Sequence, residues 1–326
     1  MPTQPLPPPR QPTPEQTLRR LEWTVIRRLD GLLHGDYRTL FRGAGLDLAE
    51  LREYQHGDDV RHIDWNVTAR LQQPYVREFH EDRDLTAWFV LDLSGSIDFG
   101  SREVAKRAVS SDFVAVLARV LTRHGNRVGA LLYRSGNEID GVLPARGGRK
   151  HVLQLLHQMA ARPVPVAARG AGTDLGALLK GAAQIVRRRS MIFVVSDFIS
   201  APGWTEPLAR LAQRHEVVAV RLYDPLEMQL PDLGLMVIED AETGEQLFVD
   251  THDRALRRRF EQQAAEREAG LRAAFGGAGV DALELSTEDA LVDSILRFAE
   301  LRKLRSGRAG RAMPVHLSSL GGGAAS

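Results

Sequence analysis

An α/β fold, a mostly parallel sheet with helices on both faces, is what this chain predicts, and three observations carry it. Short apolar runs at 86–93, 191–195 and 216–222 have the length and β-branched or aromatic content of strands buried on both faces. Between them lie segments whose apolar residues recur at three- and four-residue spacing, the mark of helices with one buried face. From residue 86 onward the two patterns alternate, which favours parallel strands joined by helical crossovers.

Taken in order, the chain begins with a Pro-rich stretch. Seven of its 16 prolines fall within residues 1–14, and Pro7-Pro8-Pro9 fits neither a helix nor a central strand, so 1–15 reads as a disordered tail. Leu18, Leu21, Val25, Ile26, Leu29, Leu32 and Leu33 then mark a helix. Arg19, Arg20, Arg27 and Arg28 flank its apolar face, so it either packs on the body or lies on a membrane surface. Residues 43–84 are polar and turn-rich, and 16–85 reads as an N-terminal helix plus extension.

The body, 86–304, opens with the strand at 86–93. Ser101 is placed to cap a helix with Val104, Ala108, Val109, Phe113, Val116, Leu117, Val120 and Leu121 inward, ended by Gly125. Residues 128–133 and 138–143 form an antiparallel hairpin about Ser135-Gly136-Asn137. Helices are expected at 150–161, 175–185, 204–214, 253–275 and 288–304, with strands at 191–195, 216–222 and 281–285. A small β insertion, 234–238 with 246–249, turns through Thr243-Gly244. The Gly-, Ala- and Ser-rich 305–326 reads as a second disordered tail.

Composition narrows function. The chain of 326 residues has no cysteine, which excludes disulfides, thiolate zinc sites, iron–sulfur clusters and cysteine catalysis. Forty-three basic residues against 42 acidic ones argue against a nucleic-acid binder working by bulk charge. Setting aside the five basic residues of 302–311 turns the formal charge of +1 into −4. No apolar run is long enough for a membrane span and no signal core opens the chain, so a soluble, cytoplasmic protein is expected.

The chemistry lies at strand ends. Asp92-Leu93-Ser94-Gly95-Ser96 follows the strand at 86–93 directly, and ligands of open α/β sheets gather beyond the carboxyl ends of strands. A carboxylate with two hydroxyls is an all-oxygen donor set that suits Mg²⁺ or Mn²⁺; the same residues also suit an ordinary exposed strand end with serine turns. Ser196-Asp197 ends a second buried strand in the same way. Gly172-Thr173-Asp174 precedes a helix, where Thr173 and Asp174 also read as N-caps.

Asp92-x-Ser94-x-Ser96, then Thr173, then Asp197 resembles the metal-ion-dependent adhesion site of the von Willebrand factor A fold. The upstream run 57–70, GDDVRHIDWNVTAR, with YVREF at 75–79, resembles the bacterial family known as domain of unknown function 58. The likeness spans about 18–304. It implies a six-stranded sheet in the order 3-2-1-4-5-6 with strand three antiparallel. It also implies that Asp92, Ser94, Ser96, Thr173 and Asp197 hold Mg²⁺ or Mn²⁺, with the last ligand a carboxylate from a partner protein. Proteins similar to this chain are associated with AAA+ ATPases of the MoxR type in chaperone-like remodelling.

The resemblance therefore implies a metal-dependent protein-interaction module, not an enzyme. A metal-dependent hydrolase or phosphatase is the alternative; an aspartyl-nucleophile phosphatase wants a second carboxylate where Ser94 stands. A membrane-peripheral adaptor using the first helix and the basic tail is compatible with the leading reading. In the 57–70 run, Asp58, Asp59, Arg61, Asp64 and Arg70 read as a structural network; Asp58, His62 and Asp64 lack metal-ligand spacing.

Overall fold

The computed structural model describes residues 13–26, 29, 50–55, 58, 60, 63–78, 85–100, 104–134, 139–160, 173–239, 246–306 and 316–317. The first helix, α1 (Pro14–Leu21), starts inside the stretch expected to be tail. Thr13 explains this: its hydroxyl accepts from the Gln16 N–H while Gln16 Oε1 accepts from the Thr13 N–H, a reciprocal cap with Pro14 in the first turn. A wider turn, Glu22–Ile26, continues it. Leu18, Leu21, Val25, Ile26 and Leu29 are buried in the main core, so this part of the expected apolar face packs on the body, while Leu32 and Leu33 lie outside the described residues.

The extension contributes β1 (Glu50–Glu53), α2 (Trp65–Leu71) and β2 (Tyr75–Glu78), with β1 and β2 paired antiparallel. Asp64 caps α2 through the Asn66 and Val67 N–H groups, and Asp58 accepts from the Gln55 N–H. Those contacts are local turn and cap bonds. Asp59, Arg61 and His62 lie outside the described residues.

Next come β3 (Thr86–Asp92), α3 (Lys106–Arg123), β4 (Arg127–Tyr133), β5 (Gly141–Arg146), α4 (Arg149–Ala160), α5 (Leu175–Ile185), β6 (Met191–Ser196), α6 (Thr205–Arg214) and β7 (Glu216–Tyr223). The hairpin β8 (Leu235–Glu239) and β9 (Gln246–Asp250) follows. Then come α7 (Arg254–Ala278), β10 (Asp281–Ser286), α8 (Leu291–Ser306) and β11 (His316–Leu317). The central sheet runs β11-β10-β7-β6-β3-β4-β5, parallel throughout except for the β4–β5 pair. Counting from β3, six strands stand in the order 3-2-1-4-5-6. The seventh, β11, lies within 305–326, a stretch whose composition predicts only a tail.

Two cores sandwich this sheet. One face packs α1, α3, α4 and α8 against Phe89, Leu91, Phe193, Val195, Val220 and Leu285. The other packs α5, α6 and α7 against Val90, Leu131, Ile192, Val194 and Ala219. Full burial of both faces is why these strands read as continuous apolar runs rather than alternating ones. Gly129 of β4 lies opposite Trp88 of β3, and a Cβ there would stand 2.8 Å from the indole, so glycine is required.

Three boundaries differ from expectation. Helix α3 begins at Lys106, leaving Val104 exposed outside it; the chain at Gly100 passes so close to the Val104 carbonyl that a Cβ would stand 2.5 Å away. Helix α7 runs past Phe275 through Gly276 and Gly277, and ends where Gly279 takes φ +69°. Strand β5 lies three residues later than placed, at Gly141–Arg146. The turn 135–137, the Ser101 cap and Thr243-Gly244 fall outside the described residues. No helix among the described residues is long and apolar enough to cross a membrane.

Candidate functional site

Strand β3 has β4 on one side and β6 on the other, so the chain reverses its direction of travel across the sheet at β3. The crevice beyond the carboxyl ends of β3 and β6 is where such sheets bind ligands. Asp92 is the last residue of β3 and Asp197 follows the last residue of β6, and parallel pairing sets both at this rim.

The backbone turns sharply after Asp92. Asp92 Oδ1 accepts from the Ser94 N–H at 2.9 Å, which folds the loop back on the carboxylate. A single 3₁₀ turn, Gly95–Asp98, follows, and Ser94 Oγ and Ser96 Oγ stand 3.1 Å apart. Asp98, at the end of that turn, is paired with Arg107, whose guanidinium also donates to the Leu93 carbonyl at 3.4 Å. All of Asp92, Ser94 and Ser96 are buried.

Thr173 reaches the same rim by another route. Its carbonyl accepts from Ser200 Oγ at 2.9 Å and from the Ala201 N–H at 3.0 Å, tying it to the loop after β6. The neighbouring Asp174 N–H donates to the Tyr133 hydroxyl at the end of β4, and the Asp174 carboxylate caps α5 through the Ala177 N–H. Of the two residues read as possible caps, Asp174 therefore serves that role, while Thr173 is buried.

Asp197 does not hydrogen-bond Asp92; it acts on it through charge. Burial first, and the Asp197 charge second, push the Asp92 carboxyl up to about 6, against the opposing effect of hydrogen bonds from Ser196 and Ser94. Asp197 itself is clasped by two donors: Lys106 Nζ on Oδ2 at 2.8 Å and the Ile199 N–H on Oδ1 at 3.0 Å. The Lys106 ammonium reaches Glu227 Oε1 as well, at 2.6 Å, from the turn that follows β7. Burial alone would lower the Lys106 pKa, but the facing Asp197 and Glu227 more than offset this, so it lies above its ordinary value.

Three contributors went unread in the sequence. Ser196 donates its hydroxyl to Asp92 Oδ2 at 2.7 Å while accepting from the Phe198 N–H. Lys106 and Glu227 complete the ion group. Lys106 did leave a signal: it lies at the inward phase of α3, four residues before buried Ser110 and seven before Phe113, where a lysine is out of place unless paired. Glu227 left none, because its position depends on how the turn after β7 folds.

The residues fit a hard divalent cation. Asp92, Asp197, Glu227 and Lys106 together carry three carboxylates against one ammonium, an excess of two negative charges, beside two converging serine hydroxyls. The raised Asp92 pKa reflects burial first and the neighbouring Asp197 charge second. Among the described residues no group of three or more His, Cys, Asp and Glu is gathered to hold a metal, so a cation here would rely on hydroxyl as well as carboxylate oxygens.

Fold and rim together define an α/β domain built on a mostly parallel sheet of strand order 3-2-1-4-5-6, with an Asp-x-Ser-x-Ser cluster at its switch point. The chain belongs to the family described as protein of unknown function DUF58, whose model matches residues 50–270. It is 39% identical over 289 residues to uncharacterised proteins of Mycobacterium bovis and Mycobacterium tuberculosis, covering 88% of this chain and 89% of each relative. Among solved structures, it is similar to an aerotolerance-related membrane protein of Bacteroides fragilis, with 13% identity, 68% of this chain and 99% of that one covered, and a TM-score of 0.42. It is also similar to the conserved hypothetical protein BatB of Bacteroides thetaiotaomicron, with 12% identity, coverage of 68% and 98%, and a TM-score of 0.41.

Proposed function

We propose that this protein is a metal-dependent protein-interaction module rather than an enzyme. In this reading Asp92, Ser94, Ser96, Thr173 and Asp197 hold one Mg²⁺ or Mn²⁺. The bound ion would supply Lewis acidity toward a carboxylate oxygen of a partner. The observation that carries the reading is the buried carboxylate pair with its surplus negative charge next to paired serine hydroxyls.

The chain's own residues prepare the site. Ser196 and the Ser94 N–H orient the Asp92 carboxylate, Lys106 and the Ile199 N–H orient Asp197, and the Ser200 hydroxyl holds the Thr173 backbone carbonyl. Recognition of a presented Asp or Glu requires no general base. For the partner, the family resemblance favours a MoxR-type AAA+ ATPase, with the module acting as its adaptor in remodelling or complex maturation, in the cytoplasm.

The test is direct. Purified protein and a MoxR-type ATPase from the same genome are mixed with Mg²⁺ or with EDTA, and association is measured by sedimentation. Binding that needs the metal and disappears in folded Asp92→Ala supports the reading. Association indifferent to both EDTA and Asp92→Ala would remove the metal bridge.

A further inference from the structure

Lys106 is the least expected member of the rim. Its side chain is 1% exposed, as is that of Asp197, and Glu227 is 14% exposed. One ammonium on α3 thus bridges two carboxylates, one just after β6 and one in the turn after β7. Phe99 covers it, with the ring centroid 5.8 Å from Nζ. This burial keeps the ammonium from touching a partner, so its effect on binding must pass through Asp197 and through its fixed charge.

We propose that Lys106 sets the cation affinity of the cluster, with Glu227 as the counterweight that decides how much of the ammonium's charge is felt. This rests on the reading of the rim as a divalent-cation site. A positive charge held on Asp197 Oδ2 opposes entry of a second cation, and in a buried setting such repulsion is weakly screened. Glu227 takes up part of that charge. The resting site is thereby a weak cation binder, and an added carboxylate from a partner supplies the negative charge that Lys106 has cancelled. Lys106 is a positioning and affinity-setting residue here, not a ligand.

The two neighbours make the proposal testable by sign. Mn²⁺ binding to the full-length chain is followed by electron paramagnetic resonance at near-neutral pH, with Mg²⁺ as competitor. Lys106→Met is expected to tighten Mn²⁺ binding about tenfold or more, Glu227→Gln to weaken it about threefold to tenfold, and Lys106→Arg to change it by less than about threefold. A merely structural lysine would weaken binding when replaced and would give no opposite effect at Glu227.

If the wild-type chain binds Mn²⁺ while Lys106→Met leaves affinity unchanged or lower, this inference fails and the cation site stands. If neither wild type nor Lys106→Met binds, the cation site itself fails and takes the inference with it. If only Lys106→Met binds, the ammonium does govern the cluster, and the wild-type site is not a metal site. Should Lys106→Met not fold, Glu227→Gln decides: unchanged or tighter Mn²⁺ binding overturns the proposal.

Discussion

Ser196, the last residue of β6, donates its hydroxyl to Asp92, the last residue of β3, across 2.7 Å. The bond joins the two carboxylate-bearing strand ends, and the buried Asp92 is hydrogen-bonded further by Ser94. Neither donor neutralises its charge, so burial and Asp197 dominate and the carboxyl is pushed up to about 6.

That displacement has a defined pH signature. The folded state holds a proton on Asp92 over a range, from about 3.8 to about 6, in which the unfolded chain has released it. Asp92 therefore contributes stability that is fully present below the lower value and lost as pH rises through the upper one. The total is on the order of 3 kcal/mol. Urea denaturation of metal-free protein across this window should show that decline, and Asp92→Asn should remove it. Asn is expected to be the more stable protein near neutral pH. Excess Mg²⁺ should restore the wild type and not the variant. Equal slopes for both proteins would mean the carboxyl is not held protonated.

Ser196→Ala takes away the hydroxyl that faces two buried groups at once. Asp92 loses a donor and the Phe198 N–H loses its acceptor, at an expected cost of about 1–3 kcal/mol. Because the lost donor favours the carboxylate, the Asp92 titration monitored by NMR should move further upward. A downward move would contradict the assigned role.

The site was half legible in the sequence, for a physical reason. Asp92, Ser94 and Asp197 announce themselves because strand ends are marked by where buried apolar runs stop. Their partners do not, since Lys106 lies 91 positions from Asp197 and 121 from Glu227 and meets them only through the sheet order. The sheet itself was readable because two-sided burial demands uninterrupted apolar runs. The start of α3 was misplaced because Val104 and Ala108 share a spacing with the true inward face but lie off it. The strand β11 carries too little pattern in its two residues to be found before folding.

A second buried ion group holds α7 on the sheet. Arg221 of β7 makes a two-pronged contact with Glu268 of α7 and reaches Glu284 of β10 at 3.3 Å, all three side chains nearly inaccessible. Arg221→Met should cost about 3–5 kcal/mol, because it strands two buried carboxylates. Replacing the trio together by Met, Leu and Leu should recover most of that loss, since apolar residues of similar volume need no counterion. Chemical denaturation of the two variants checks both; a single variant within about 1 kcal/mol of wild type would show the group to be solvated.

Immediately after Asp197, Phe198 adopts φ +57°, a left-handed backbone that disfavours any side chain. The ring accounts for its presence there: it packs with Trp204 at 5.4 Å and Phe275 at 4.9 Å between centroids, locking the loop after β6 to α6 and α7. Truncation therefore removes packing while the backbone requirement remains. Phe198→Ala keeps the unfavourable φ and loses the aromatic contacts, an expected cost of about 3–5 kcal/mol. Phe198→Gly loses the same contacts but is free to adopt this φ, so it should be the less damaging change by about 1 kcal/mol, the reverse of the usual order of alanine and glycine. Thermal and urea unfolding of the pair will decide it. If alanine proves the milder substitution, the left-handed backbone at Phe198 does not govern the cost of truncation there.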